Sequence, residues 1–308
     1  MVVRYDIRHV TTYRYREPVR FGEHRVMFRP RDSHDLRVLA TDLQVSPEAD
    51  IRLIQDPHSN SVALVQPHSS ASVLRIACTF TIEHALTHNL ELPLLPRGEV
   101  FPVAYSLDER LDLEPYLRPA HEDPEGCLTA WARDFMQSIG QGNGNPRSGL
   151  VAMTRRIREQ FEYAAREEEG TQPPLVTLEK RTGSCRDFAL LMIEAARRVG
   201  VASRFVSGYL YDPALDVHGN TATDGTSAAA PGMTVGAGST HAWMQAYLPG
   251  AGWVPFDPTN NLLGGNSLIR VGVARHPDQA PPIAGSWFGP EGAYQGLEVE
   301  VQVHRHPA

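Results

Sequence analysis

Residues 181–189 read RTGSCRDFA, and this stretch decides the fold of the second half of the chain. From the end of this stretch onward, apolar residues recur on one helical face, at Phe188, Leu191, Met192, Ala195 and Val199. The pattern predicts a helix over residues 185–199, which Gly200 ends and which Thr182 or Ser184 can cap. Cys185 therefore lies at a helix N-terminus, where unpaired N–H groups and the positive end of the helix dipole favour a thiolate.

Two further residues complete a possible reactive set. Strands are predicted over residues 240–248 and 253–257, and the sequence LPGAG between them is typical of a hairpin turn. If the turn centres on Gly250, Trp243 faces Asp257 and His241 is the diagonal neighbour of Asp257 on the same sheet face. Diagonal Cβ atoms lie roughly 7–8 Å apart, so the imidazole can reach the carboxylate. A register slip of one residue would separate the two side chains.

A cysteine, a histidine and an aspartate in these contexts are the parts of a thiol nucleophile, its base and the group that orients the base. The N–H of Cys185 is placed to face a developing oxyanion, with Gly183 allowing close approach. Tyr163 is a candidate for a second oxyanion donor, with an ordinary packed aromatic as the alternative. Trp243 is a candidate for a substrate contact, or else for core or cleft wall, and Asp187 is expected to hold the first helical turn.

The rest of the chain has a mixed organisation. Residues 2–84 alternate between apolar and polar and predict an antiparallel β-sandwich-like domain, assigned to residues 1–95. Residues 96–120 read as an ordered, extended connector because prolines interrupt every periodic pattern. Residues 121–308 form the catalytic domain, with further helices over 127–136 and 149–161 and strands over 202–210 and 297–303. The fold class is therefore α+β. The small-residue stretch 219–239 reads as an insertion beside the His241 strand.

Composition limits the classes of partner. The formal charge is −7, from 36 acidic and 29 basic residues, and this acidic surplus argues against nucleic-acid binding. Cys78, Cys127 and Cys185 show no paired spacing, so neither disulfides nor a CxxC metal site is expected, and Cys78 and Cys127 are predicted to be buried. The pair His84 and His88 falls in a predicted strand end, where helical metal spacing has no meaning. Charged residues near the N-terminus and the absence of a long apolar run predict a soluble cytoplasmic protein without a membrane partner.

Several short motifs in order resemble the bacterial transglutaminase-like superfamily, a group of predicted cysteine proteases with an N-terminal β domain. They are Gly-x-Cys-x-Asp-Phe-Ala at 183–189, Ser-Gly-Tyr-Leu at 207–210, His-Ala-Trp at 241–243 and Asp-Pro-Thr-Asn at 257–260. Residues 8–15 and 29–32 extend the likeness into the N-terminal region. The chain differs from the usual pattern at Arg186, where Gln is common, and at Leu190, where His is common.

The resemblance implies a papain-like or transglutaminase-like core, with helices packed on an antiparallel sheet and with no metal or other cofactor. It implies that Cys185, helped by His241 and Asp257, attacks a peptide or carboxamide carbonyl to give a thioester. Water as acceptor would give hydrolysis and an amine acceptor would give a new amide, so the expected partners are a protein or peptide substrate and an optional amine. Two alternatives stay open, a catalytically weak peptide-binding or scaffolding module and an amide-bond synthase of a biosynthetic pathway. The extra cation at Arg186 either favours the thiolate or favours an acidic substrate.

Overall fold

The N-terminal region begins with a long strand, β1 (Val2–Phe21). The side chains of Val3, Tyr5 and Ile7 are buried, so every second residue at the start of the strand faces the core. The computed structural model describes residues 2–85, 90–137, 144–166, 170–213, 234–236 and 238–306. The strands that follow are β2 (His24–Val26), β3 (Leu36–Ser46), β4 (Ala49–Gln55), β5 (Ser61–Pro67) and β6 (Ala71–Ala85). Strands β1, β6 and β3 lie side by side in a larger antiparallel sheet, and β2, β5 and β4 lie in a smaller one.

The region between the N-terminal strands and the core is not simply extended. It contains α1 (Pro96–Glu99) and α2 (Leu107–Leu117), so the prediction of extended chain is wrong for these residues. A capping box starts α2, because Glu109 N–H donates to Ser106 Oγ at 3.2 Å and Ser106 N–H donates to Glu109 Oε2 at 2.8 Å. These bonds set the helix although Pro115 lies inside it.

The core places helices against an antiparallel sheet, as predicted. Its helices are α3 (Cys127–Gln137), α4 (Pro146–Gln160), α5 (Pro174–Lys180) and α6 (Cys185–Arg198), and the short strands β7 (Glu162–Tyr163) and β8 (Thr182–Gly183) pair in parallel. The sheet strands are β9 (Ser203–Leu210), β10 (Thr240–Leu248), β11 (Gly252–Asp257), β12 (Leu262–Leu263) and β13 (Leu268–Ala274), in the order β12-β11-β10-β9-β13. Helix α5 had no counterpart in the sequence prediction.

The last strands return to the N-terminal sheets. They are β14 (Ile283–Ala284), β15 (Trp287–Phe288) and β16 (Tyr294–Arg305). Strand β16 pairs with β1 from Tyr5↔Arg305 to Tyr15↔Tyr294, and β14 pairs with β2. The division of the chain at residues 95 and 120 stays a prediction. Strand β16, which belongs to the predicted unit 121–308, is nevertheless hydrogen-bonded along β1, the first strand of the predicted unit 1–95.

Some expectations concern single residues or short segments. Cys78 is buried as predicted, whereas Cys127 is exposed, because it is the first residue of α3 and precedes the buried positions Leu128 and Ala132. The sequence also predicts a solvated loop at the three glutamates 167–169. These residues and most of the predicted insertion 219–239 lie outside the described residues. Among the helices described, none is both long enough and apolar enough to span a membrane.

Candidate active site

Cys185 is the first residue of α6 and is half-buried. The short parallel pairing of β7 and β8 sets the entry to this helix, with Tyr163 opposite Gly183. Ser184 is the N-cap residue of this helix, so Cys185 lies in the first turn, next to its free N–H groups and the positive end of its dipole. The location of Cys185 at a helix N-terminus is confirmed.

Asp187 fixes the turn that presents Cys185. Its carboxylate is fully buried and accepts hydrogen bonds from the N–H and the hydroxyl of Ser184, at 2.8 and 2.9 Å. It also accepts from the N–H of Gln172 at 2.7 Å and forms an ion pair with Arg166 at 2.9 Å. The expected role of Asp187 in holding the first turn is confirmed, and the same carboxylate also ties the 166–172 segment to α6.

His241 and Asp257 are in direct contact. Strands β10 and β11 pair in the register predicted from Gly250, with Met244 opposite Phe256. In that register His241 Nε2 lies 2.9 Å from Asp257 Oδ2, and both side chains are completely buried. Burial opposes protonation of the imidazole, but the Asp257 carboxylate and the Cys185 thiol raise the pKa of His241 to about 10. The pair therefore favours an imidazolium beside the thiol.

The other ring nitrogen of His241 is available for the thiol proton. Nδ1 has no standard hydrogen-bond partner among the described residues, and Cys185 is the neighbouring thiol that raises the imidazole pKa. Since Asp257 occupies Nε2, Nδ1 is the nitrogen that can exchange a proton with Sγ. The structure thus brings Cys185, His241 and Asp257 together in the order thiol, imidazole and carboxylate.

A short segment over residues 234–236, here called the strap, lies against the imidazole. A Cβ on Gly236 would stand 2.7 Å from His241 Nδ1, so only a glycine allows this approach. Asn260 holds the strap by accepting from Val235 N–H and donating to Val235 O, both at 2.9 Å. The Asn260 amide also donates to Asp257 Oδ2 at 2.9 Å, which links the strap to the orienting carboxylate.

The sequence signal for this arrangement was the Asp-Pro-Thr-Asn motif at 257–260, but the role of Asn260 was missed.

Trp243 is part of the core and does not lie where it could contact a substrate in the cleft. It is 1% exposed, packs with Val206 and Leu268, and stacks beside the His241 ring at a centroid distance of 6.1 Å. It does not belong to the residues that line the cleft.

A cleft of about 350 Å³ opens beside Cys185 and His241. The candidate oxyanion residue Tyr163 lines it, and burial together with the nearby Cys185 and Asp187 raises the pKa of its phenol well above the usual value, so the hydroxyl keeps its proton. Arg166 and Arg186 line the same space. Leu190 is buried and lies outside this lining, so of the two departures from the family pattern Arg186 is the one that borders the cleft.

The opposite wall comes from the N-terminal sheet, which sequence reasoning had treated as a separate domain. Strand β1 contributes His9, Thr11 and Tyr13, and β16 contributes Leu297 and Val299. His9 is hydrogen-bonded through Nδ1 to the Tyr209 hydroxyl of β9 at 2.8 Å and stacks on Phe28 at 3.8 Å. The available signal was the resemblance at residues 8–15, which includes these β1 positions.

Within the described ranges, no cluster of three or more His, Cys, Asp or Glu side chains has the arrangement of a metal site. His84 is buried, and His88 lies outside the described residues.

Comparisons with known proteins identify relatives of this chain and a solved structure with a similar fold. A protein of Mycobacterium leprae (strain TN), itself uncharacterised, is 34% identical over 163 residues, which are 53% of this chain. The alignment spans 52% of that relative, so the chain covers about half of its length. An uncharacterised protein of Mycobacterium tuberculosis (strain H37Rv) is 27% identical over 301 residues, 92% of this chain and 87% of the relative.

A solved structure shows the same fold over the whole chain. This protein, from Cytophaga hutchinsonii and proposed to be a cysteine protease, superposes with a TM-score of 0.69 at 20% identity, covering 100% of this chain and 92% of that one. Residues 133–258 match the transglutaminase-like superfamily, and residues 5–83 match the bacterial transglutaminase-like N-terminal region. The chain therefore combines a transglutaminase-like core with a bacterial transglutaminase-like N-terminal region.

Proposed function

We propose that the protein is a thiol-dependent acyl-transfer enzyme that acts on peptide or carboxamide bonds through Cys185, His241 and Asp257. The observation that carries this proposal is the buried 2.9 Å contact between His241 Nε2 and Asp257 Oδ2, with the Cys185 thiol on the other side of the same imidazole. A buried carboxylate bonded to one nitrogen fixes the ring orientation and stabilises the imidazolium. The thiol at a helix N-terminus is then the nucleophile.

The reaction divides into two steps. In the first, Sγ of Cys185 attacks the carbonyl carbon, and the imidazolium of His241 gives its Nδ1 proton to the leaving nitrogen as the C–N bond breaks. The product is a thioester on Cys185 and a free amine or ammonia. In the second, His241 takes a proton from water or from an amine as that acceptor attacks the thioester, and the proton returns to Sγ or is held on the imidazole. Water gives hydrolysis or deamidation, and an amine gives a new amide.

The tetrahedral intermediate of each step carries a negative oxygen. The N–H of Cys185 in the first turn of α6 is one donor placed for this charge, and the protonated Tyr163 hydroxyl in the cleft is the candidate for a second. A fixed donor aimed at such an oxygen contributes about 10²–10³-fold to the rate. Tyr163→Phe is therefore expected to lower kcat more than it changes KM.

Site-resolved alkylation by iodoacetamide across pH 5 to 9, read by mass spectrometry, tests the Cys185 and His241 pair. The chain supplies its own references, because Cys127 is an exposed thiol and Cys78 is buried, with burial first among the causes that raise the Cys78 pKa to about 11. We expect Cys185 to react faster than Cys127 below neutral pH and His241→Ala to remove that advantage. A Cys185 profile that follows Cys127 in the unmodified protein would contradict the proposal and favour a binding module.

Acyl transfer itself is then measured on peptide carboxamides with and without an added primary amine. Loss of ammonia without incorporation of the amine indicates hydrolysis, and incorporation indicates transfer. Cys185→Ser is the matched control, since it keeps the shape of the site and removes the thiol. Activity that survives this substitution would rule out the proposed nucleophile.

A further inference from the structure

The cleft beside Cys185 has an unusual charge balance for this chain. The protein carries a net formal charge of −7, yet the described residues that line the cleft include Arg166 and Arg186 and no aspartate or glutamate. The nearest carboxylate of the α6 turn, Asp187, is fully buried beneath the lining and already accepts several hydrogen bonds. The described part of the cleft lining is thus cationic, although the protein as a whole is acidic.

The two guanidinium groups are in different states. Arg166 is held by its ion pair with Asp187 at 2.9 Å, and its charge is therefore partly balanced. Arg186 is half-buried, immediately follows the nucleophile and has no hydrogen bond or ion pair with any of the described residues. Its charge nevertheless acts inside the site, where it favours the ionised form of Tyr163. A half-buried cation that has no partner among the described residues is placed to pair with an anion on a ligand.

The wall contributed by the N-terminal sheet carries no competing charge. Tyr13 is protonated, because burial and the neighbouring tyrosines Tyr15 and Tyr294 raise its pKa to about 12. His9 is neutral, because burial lowers its pKa to about 3. Leu297 and Val299 complete an uncharged surface there. An anionic ligand group therefore has its favourable partners on the side of the cleft next to Cys185.

We infer that the acyl donor carries a carboxylate close to the carbonyl that Cys185 attacks, and that the guanidinium of Arg186 binds this carboxylate. The inference rests on the proposed function and names its substrate class, a carboxylate-bearing peptide or carboxamide. The carboxylate can come from an acidic side chain or from the C-terminus of a peptide. Arg186 acts as a specificity-determining residue, because it reads a charge that takes no part in bond making.

A pair of alkylating reagents tests this site without knowledge of the natural substrate. Iodoacetate and iodoacetamide react with the same thiolate, but iodoacetate places a carboxylate next to the reacting carbon. We expect Arg186→Gln to lower the ratio of the iodoacetate rate to the iodoacetamide rate at Cys185 by about three- to tenfold, as loss of a nearby unit charge predicts. Arg186→Lys keeps a cation and should retain most of the ratio.

The matched control is Arg155→Gln, which removes the same charge from an exposed position in α4 outside the cleft. It should leave the ratio unchanged. A ratio that changes less than twofold in Arg186→Gln, or that falls equally in the Arg155 variant, overturns the inference. A parallel fall of both rates in Arg186→Gln also overturns it, because that result shows an effect on the thiolate and not on the ligand charge.

Failure of the proposed function would look different. In that case Cys185 of the unmodified protein would show no His241-dependent reactivity with either reagent, and both proposals would fall together.

If the reactivity is present, peptide carboxamides identify the source of the carboxylate. One arm places Glu, Gln or Lys beside the reactive residue with an amidated C-terminus, and the other compares free with amidated C-termini. A preference for the carboxylate form in one arm, lost in Arg186→Gln, supports the inference, whereas no preference in either arm contradicts it.

Discussion

Gly236 controls how closely the strap can approach the base. Its backbone has a φ of +86°, and an added Cβ would meet the His241 ring at Nδ1 and also at Cγ and Cε1. The strap therefore lies against Nδ1 of His241, the nitrogen that the proposed mechanism uses for proton exchange with Cys185, and Asn260 holds the strap there through Val235. The orientation of the base depends on backbone as well as on Asp257.

Gly236→Ala is expected to displace the imidazole and to slow Cys185 alkylation and any acyl transfer by about tenfold or more, since a displacement near 1 Å can cost about 10²-fold. Gly264→Ala is the matched control, because Gly264 has a φ of +84° and open space where its Cβ would lie. Both variants should lose roughly 1 kcal/mol of stability from the left-handed backbone. Equal loss of Cys185 reactivity in the two variants would show that strain, and not contact with His241, is responsible.

The sequence alone predicted the contact between His241 and Asp257 because a short hairpin turn determines the pairing register of its two strands. It did not predict the strap or the role of Asn260. Residues 234–236 have no periodic pattern, and their position depends on hydrogen bonds to Asp212 and Asn260, which come from other parts of the chain. Such contacts are set by the assembled fold and leave no local signal.

Helix α6 is fixed by buried carboxylates near both of its ends. Asp187 accepts hydrogen bonds in the first turn, next to Cys185. Glu194, further along the helix, forms an ion pair with Arg197 at 3.0 Å and accepts from the N–H groups of Ala120 and His121, both at 3.0 Å. One carboxylate therefore supports the site, and the other ties the helix to the connector.

Asp187→Ala and Glu194→Ala separate these roles. Each should lower the free energy of unfolding by about 3–5 kcal/mol, because each leaves a buried cation or buried donors without a partner. Asp187→Ala should in addition slow Cys185 alkylation, since the turn that presents the thiol loses its cap. Urea unfolding and alkylation of the folded fraction measure the two effects. If Glu194→Ala slowed alkylation as strongly, α6 would act as one rigid support and the separation would be wrong.

The helices show where sequence patterns succeed. The apolar face of α6 and its Gly200 stop gave bounds within one residue of Cys185–Arg198, because a long amphipathic helix repeats its signal. Helix α2 was missed because prolines at 96, 102, 115 and 119 outweighed the capping box of Ser106 and Glu109. The capping box of two residues is enough to start the helix in the folded chain. It is too short to be detected by a search for periodic patterns over a long window.

At the scale of the whole molecule, His9 joins the N-terminal sheet to the core. It contacts Tyr209 and Thr11 through its two ring nitrogens, and burial lowers its pKa to about 3. Its folded-state pKa lies below the unfolded value near 6.5, so the unfolded chain binds more protons between these two values. The stability that neutral His9 provides is therefore present above pH 6.5 and is lost progressively as the pH falls towards 3.

His9→Gln tests this linkage, because glutamine keeps hydrogen-bonding groups and does not titrate. From pH 7 to pH 5 the unmodified protein should lose about 2 kcal/mol of unfolding free energy through His9, and the variant should lack that part of the loss. Urea unfolding at the two pH values gives both numbers. His304→Gln, at an exposed position of β16, should keep the full loss. An unchanged pH dependence in His9→Gln would mean that His9 is accessible to protons in the folded state.

The pairing of β16 with β1 has a consequence for the time at which the site is completed. Arg8 and Glu300 are bonded although 292 positions separate them, and Leu297 and Val299 supply part of the cleft wall. During synthesis Cys185 and His241 leave the ribosome before these residues, so the cleft beside them at first lacks the wall that β16 supplies. The cleft closes only when strand β16 has been translated and has found its place along β1. The thiol of Cys185 therefore lies in a complete cleft only after the whole of β16 has been translated.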